Sequence, residues 1–585
     1  MILWSCILAF IFLSTSIFYF PGWFDSPELV LAIETLGVSH PPGQPIYLLL
    51  AKPFTYLPLG TVAYRTSLFS LTCFIVANFF FAKTIVRLLD SYSNKTLYGC
   101  VFIALAVFSP ELVLQSNRTE LYALCMCLSS IIIYLVISYE QSADARLLLI
   151  AAFVLGCFML VHPVLALPHL IAPVAIIRSK KNLKHFIVAS LFLMTASLIL
   201  LYMPLRATTN PSLNWGDPKT LRAFLHGVFA LDYSSFHVPS LKIKTLLSLL
   251  THHLGITQLS LTFLGLILLF KNQKKRVFTL FLIVIATSFI FSLRVGFYSQ
   301  NPDSYGYIAN AILLIHLLAV LGVIQIKTLP TSSKIKACLI GVSILVLIMP
   351  KLKPARAVTQ ISGGQEVALL SQAPLSVRAS SIFVLSSDHW IFPMWYRNHL
   401  SLQASSHLFA AEGLMNTKWY QKKTKNRFDQ LKWAKQLFSE QNNPKALALY
   451  QLLQHRPILT NELFSKCHAQ DIFKIEEGMC AQLALFYFKG TILEKHYSKG
   501  LLFLESYLNF PKLVSRKPDC KKPKNVNLPF QLESHKMASF LPTLSHLRNE
   551  YLLLYLGCYG GVEKSLLQIL PNETLDDRNW KKWLL

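Results

Sequence analysis

Residues 24–47 read FDSPELVLAIETLGVSHPPGQPIY and set Asp25, Glu28, Glu34 and His40 directly after an apolar run that ends near Phe20. Ionisable groups are costly in hydrocarbon, so a cluster beside a membrane span belongs at the water boundary or in a polar cavity. His40-Pro41-Pro42-Gly43 then imposes a turn, because proline fixes φ and glycine tolerates positive φ. The stretch is expected to form a shaped, carboxylate-bearing loop at a membrane surface.

Composition agrees with a membrane protein. Of 585 residues, 53% are hydrophobic and only 14% are charged, with a mean hydropathy of +0.46. A soluble domain carries about 25% charged residues, so much of this chain must face lipid. The formal charge of +26 attracts anionic head groups and helps to orient the chain. Nucleic acid is not expected as a partner, since no recognition motif accompanies that charge. The run 1–20 has neither a basic start nor a small-residue cleavage site and reads as a retained span.

Apolar runs recur at 2–20, 66–88, 97–111, 120–138, 147–161, 163–177, 186–204, 254–270, 277–296, 307–326 and 335–350, which predicts about eleven transmembrane helices. Basic residues test that number. Lys83, Arg87, Lys95, Arg146, Arg178 to Lys184, Lys271 to Arg276, Lys327 and Lys334 all fall on one side if the N-terminus is cytoplasmic. The polar residues that remain then gather on the outer face. They are Asp25, Glu28, His40, Arg118, Glu120, His162, the segment from Arg206 to Asp217, and Asp303. Residues 1–350 are thus expected to be a polytopic domain with outer loops at 21–65 and 205–253, and with one outward-facing site.

Beyond Pro350 the chain alternates polar and apolar stretches, with lysine runs at 422–425 and 521–524. Residues 351–585 are expected to form an extracytoplasmic domain, mixed α/β or mainly helical. Ser380 to Leu385 reads as a buried strand, and 443–450 and 481–488 have helical periodicity. Cys467, Cys480, Cys520 and Cys558 make an even set that suits two disulfides or four free thiols.

Three constellations carry chemistry. Asp25 and Glu28 are three apart and would share one face of a helical turn; either can be a general base, and the pair can equally be a helix cap with its partner. His40 is a substrate contact or a turn histidine. Glu120 and Tyr122 lie in Arg118-Thr119-Glu120-Leu121-Tyr122-Ala123-Leu124, where a helix start alone favours the carboxylate. Arg206 ends Tyr202-Met203-Pro204-Leu205-Arg206, followed by Asn210-Pro211 and Asn214-Trp215-Gly216-Asp217-Pro218. A guanidinium there can fork two bonds onto a phosphate or snorkel to a head group. Trp215 can stack on a sugar or lie in the interfacial belt, and Gly216-Asp217-Pro218 is a turn signal. No P-loop, H-E-x-x-H or paired C-x-x-C is present, which speaks against a soluble nucleotide-sugar site.

These motifs resemble those of the transmembrane protein 260 family of protein O-mannosyltransferases. Its first outer loop has the form D-S-x-E-L … L-G-x-x-H-P-P-G-x-P, matched by Asp25, Ser26, Glu28, Leu29, Leu36, Gly37, His40, Pro41, Pro42, Gly43 and Pro45. Its A-E-V-Y-x-L is matched from Glu120 to Leu124, with Arg118 departing where the family often has a small residue. Its Y-x-P-L-R … N-P … N-W-G-D-P is matched between Tyr202 and Pro218. The resemblance implies a GT-C fold and an inverting glycosyltransferase. Such an enzyme moves a hexose such as mannose from a polyprenyl-phosphate donor to a protein Ser/Thr hydroxyl or an envelope glycan.

Asp25 and Glu28 are then the catalytic candidates. His40, Glu120, Tyr122, His162, Arg206, Asn214, Trp215 and Asp217 are those for substrate and donor, with Arg206 on the lipid phosphate. A divalent cation is compatible with the carboxylates, but the residues name no metal. The implied location is a bacterial inner membrane with a periplasmic site, or the endoplasmic reticulum with a lumenal one. A lipid-linked-oligosaccharide polymerase or ligase is the nearest alternative. A transporter or scaffold is another, although a transporter should bury ionisable groups in broken helices near the midplane.

Overall fold

The computed structural model describes residues 1–170, 183–231, 254–295 and 302–360 apart from positions 23, 273 and 329. Beyond them it describes 382–385, 388–400, 408–411, 414, 417, 419–420 and 458–460. The chain divides into two compact units, Met1–Gln365 and Glu366–Leu585. The sequence reading set this division at Pro350, but the helix there runs on from Ser333 to Gln360.

The first unit is helical. It opens with α1 (Ile2–Ser14), then α2 (Ser26–Thr35) and α3 (Pro45–Ala51) within the first loop, and the long α4 (Val62–Leu88). Thr61 starts α4 by accepting the Tyr64 N–H at 3.1 Å, which satisfies one orphan donor of the first turn. Next come α5 (Lys95–Val107) and α6 (Pro110–Ser116), which meet at an angle of 77°. Pro110 causes that break, because it has no N–H to continue the ladder and biases Ser109 to extended backbone.

The unit continues with α7 (Tyr122–Ser142), α8 (Ala145–Val161) and the short α9 (Pro163–Ala166). Then follow α10 (Leu183–Ala196), α11 (Tyr202–Thr208), α12 (Leu221–Val228) and α13 (Gly255–Lys271). The last three are α14 (Lys275–Val295), α15 (Pro302–Ile324) and α16 (Ser333–Gln360).

Among the described residues six helices are long and apolar enough to cross a membrane, or seven if α5 and α6 count as one bent span. The protein is an integral, multi-pass membrane protein. The sequence reading expected eleven spans, and the difference lies in length. The first run yields a helix only from Ile2 to Ser14, and Ala145–Val161 and Gly255–Lys271 are also short of the full length. The run 163–177 is described only to Leu170, and there it is one α-turn followed by a 3-10 turn. Helices α7 and α15 are the centre of the unit, with 89% and 94% of their apolar windows buried, against 11% for α16. The seven cysteines of this unit are free thiols in or beside these helices.

The second unit contains a parallel sheet in the order β2-β1-β3, with β1 Ile382–Leu385, β2 Leu408–Ala411 and β3 Ile458–Thr460. Helix α17 (Asp388–Leu400) connects β1 to β2. The strand expected near Ser380 is thus found two residues later. The lysine runs, the two expected helices and all four C-terminal cysteines lie outside the described residues.

Candidate active site

The 24–47 stretch folds inward. Every residue of α2 from Ser26 to Ile33 is buried, so this segment is part of the core and not a loop lying on the membrane surface. Asp25 occupies the N-cap position, but its side chain makes no capping bond. Glu28 does not close a capping box either. Its fully buried carboxylate accepts the His40 backbone N–H at 2.9 Å and the His40 Nδ1–H at 3.1 Å. Cap and box, the alternative read from spacing, are absent because both oxygens of Glu28 serve the later turn.

His40 is thereby aimed. Its Nε2 lies 3.7 Å from Asp25 Oδ2 and 3.2 Å from the Gln44 amide, and its ring meets Trp215 edge-on at 6.2 Å. Burial opposes charge on this imidazole, yet Asp25 and then Glu28 outweigh it, and its pKa rises to about 10. Asp25 is the accessible member of the group, with 31% of its side chain exposed against none for Glu28.

Two further segments complete the pocket. Between α6 and α7, Arg118 and Glu120 are both about 1% exposed, and Arg118 Nη2 bonds Asp303 in the first turn of α15. Thr119 ties this corner to α4 by hydroxyl contacts with Thr66 and with Ser67 at 2.6 and 3.1 Å. Asp25, Glu120 and Asp303 each bring one carboxylate oxygen within 4.8 Å of the others. Tyr122, Tyr307, His162 and Phe291 form an aromatic wall alongside, with centroid separations of 5.2 to 6.3 Å. Gly306 is needed at this wall, because a Cβ there would collide with the Tyr122 ring.

The Tyr202–Pro218 motif bonds to the backbone at the end of α2 and in the turn after it. Arg206 donates from Nε to the Leu36 carbonyl at 2.6 Å and from Nη2 to the Thr35 carbonyl at 3.0 Å. It therefore caps the C-terminal end of α2, where orphan carbonyls favour a cation. Two of its donors are spent on backbone carbonyls, and the guanidinium's other N–H groups are not engaged by these two bonds. Tyr202 Oη donates to the Gly37 carbonyl at 2.9 Å. Val38 N–H donates to the Leu213 carbonyl and Trp215 N–H to the Val38 carbonyl, at 2.9 and 3.0 Å, a one-residue parallel bridge between Val38 and Asn214. Asn214 Nδ2 donates to Asp217 Oδ1 at 2.8 Å, and Lys219 pairs with Asp217 at 3.2 Å. Asp217 is thus held within its own turn, whereas Trp215 reaches His40. Gly37 lies where this bridge closes, and an added Cβ would run into the Leu213 carbonyl oxygen.

The structure brings Asp25, Glu28, His40, Glu120, Tyr122, His162 and Trp215 to one corner. It also brings in Arg118, whose ion pair no local pattern could reveal, and Asp303, whose signal in the sequence was its place on the outer face before the tenth apolar run. A separate polar contact inside the bundle, Gln258 Nε2 with His316 Nδ1 at 2.7 Å, was not anticipated at all.

A helical membrane unit with a buried acidic pocket at the mouth of its central helices is a GT-C-type architecture. ArnT from Cupriavidus metallidurans bound to undecaprenyl phosphate matches with a TM-score of 0.50 at 12% identity, over 73% of this chain and 88% of that one. Residues 25–185 match the model of the Protein O-mannosyl-transferase TMEM260 N-terminal domain. Protein O-mannosyl-transferase TMEM260 of Mus musculus is 29% identical over 236 residues, 38% of this chain; the match spans one third of the mouse protein's length.

Proposed function

We propose that this protein is an inverting glycosyltransferase that moves a hexose, mannose by analogy with its family, from a polyprenyl-phosphate carrier to a hydroxyl of a protein or envelope glycan. The observation that carries this reading is Asp25: a partly exposed carboxylate at the edge of a pocket whose other acidic groups are buried. The proton of the acceptor hydroxyl goes to Asp25, the oxygen bonds to the anomeric carbon from the face opposite the carrier, and the bond from that carbon to the phosphate oxygen breaks. The lipid phosphate departs with the electron pair.

Glu28 is a positioning residue in this scheme, since its oxygens orient His40. The imidazolium of His40 and the wall of Tyr122, His162 and Trp215 are suited to sugar hydroxyls and sugar faces. Arg206 shapes the pocket through α2. The undecaprenyl phosphate of the ArnT complex belongs to the carrier class proposed here, and the mouse relative's name speaks for a protein acceptor. The charge asymmetry of the loops favours an outward-facing site.

The test is direct. Purified protein is incubated with polyprenyl-phosphate mannose and Ser/Thr-containing peptides, and lipid-phosphate release and glycopeptide mass are followed. Release coupled to a peptide gaining one hexose is expected. Binding of carrier with neither release nor transfer, for mannose and other hexoses, would instead favour a non-catalytic protein.

A further inference from the structure

We infer that Asp25, Glu120 and Asp303 form a binding site for a hard divalent cation. Three segments far apart in sequence supply it: the residue before α2, the turn before α7 and the first turn of α15. Oxygen ligands stand about 2.0–2.6 Å from Mg²⁺ or Ca²⁺, so two of them are at most about 4–5 Å apart across the ion. The three carboxylate oxygens, all within 4.8 Å of one another, fit that span. An all-carboxylate donor set selects Mg²⁺, Mn²⁺ or Ca²⁺ over the softer zinc-like ions.

Proximity of acidic groups would not suffice by itself. The second observation is Glu120. This side chain is about 1% exposed, and its Oε2 accepts the Leu121 N–H at 3.0 Å. Its Oε1 is buried with no hydrogen-bond partner. A carboxylate oxygen taken out of water without a partner is costly, and the cost is removed by a coordinating ion. Arg118 bonds Asp303 and His40 faces Asp25, so each of those carboxylates already has a cationic neighbour. Both cations also act on Glu120 through space, but neither bonds it, so its unpartnered Oε1 is the place where an added cation fits. The exposed edge of Asp25 provides a path of entry, and one oxygen of that carboxylate can bind the ion while the other meets the acceptor. An ion with three protein ligands keeps positions open for water or for a substrate oxygen.

The experiment uses the full chain in lipid nanodiscs, stripped with chelator and titrated with Mn²⁺ while the free-ion electron paramagnetic resonance signal is read. One Mn²⁺ per chain, displaced by excess Mg²⁺, is expected. Glu120→Gln keeps the side chain's shape and should weaken binding at least tenfold. Asp25→Asn, at the exposed member, should do the same and serves if Glu120→Gln fails to fold. Asp90→Asn, in an exposed ion pair with Lys95, should leave binding unchanged. Absence of stoichiometric Mn²⁺ binding by the parent protein would overturn the inference, as would equal binding by folded Glu120→Gln and Asp25→Asn proteins. Neither donor nor acceptor is present, so a failure here leaves the glycosyltransferase reading standing, and the converse holds too.

Discussion

The acidic pocket and the Tyr202–Asp217 segment touch the same first loop but use polar groups in opposite ways. In the pocket, carboxylates from three distant segments are held close together, against the ordinary preference of like charges to separate. Arg118 and His40 offset part of that repulsion, and burial in low dielectric sharpens what is left. In the 202–217 segment, polar groups are spent on backbone: Arg206 and Tyr202 on the carbonyls of Thr35, Leu36 and Gly37, and Leu213 and Trp215 on the two polar groups of Val38. One region stores chemical potential and the other supplies rigidity. Both kinds of residue fall in family-like motifs, so a motif match by itself does not separate the chemistry from its scaffold.

That contrast can be broken by substitution. The largest effect is expected for Asp25→Asn, because a general base contributes about 100- to 10,000-fold in rate. Transfer should fall by that order while carrier binding and the melting temperature hold. A folded Asp25→Asn protein with near-normal transfer would remove Asp25 from the mechanism; capping cannot account for such a result, because the Asp25 side chain makes no cap bond.

Gly37→Ala should act on stability first. The new methyl meets the Leu213 carbonyl, and overpacking of this kind costs about 1–3 kcal/mol. Thermal unfolding in detergent should record the loss, and an unshifted melting temperature would show that the bridge is looser than described.

Arg206→Ala separates two roles. As a cap on α2 it should lower stability by about 1–2 kcal/mol, and Arg206→Lys should recover part of that. A loss of carrier affinity at unchanged stability would show that Arg206 also meets the phosphate. Tyr202→Phe removes a single hydroxyl bond and should be the mildest, about 0.5–1.5 kcal/mol, seen as a small shift in the denaturation midpoint with turnover nearly intact.

Much of the membrane unit was legible in the sequence because hydrocarbon imposes a one-dimensional rule: a backbone in lipid must bond to itself, so spans appear as apolar runs. Val62–Leu88, Tyr122–Ser142 and Lys275–Val295 start and end within about four residues of their runs. Run length was the weaker guide. Prolines such as Pro110 divide apolar sequence without making it polar, so composition alone could not reveal the 77° break.

The same limit governs the site. By itself the sequence determined that carboxylates, a histidine and an arginine stand next to apolar helices, and that they resemble one family's motifs, because residue type and spacing are local properties. Only the tertiary structure decided which of them meet. Glu28 turns to His40 twelve residues on, Arg206 to a helix end 170 residues earlier, and Arg118 to Asp303 across 185 residues. Hydrogen bonds and ion pairs act over a few ångströms, and closing a chain loop costs entropy that grows only slowly with its length. Sequence distance therefore says little about which charge answers which.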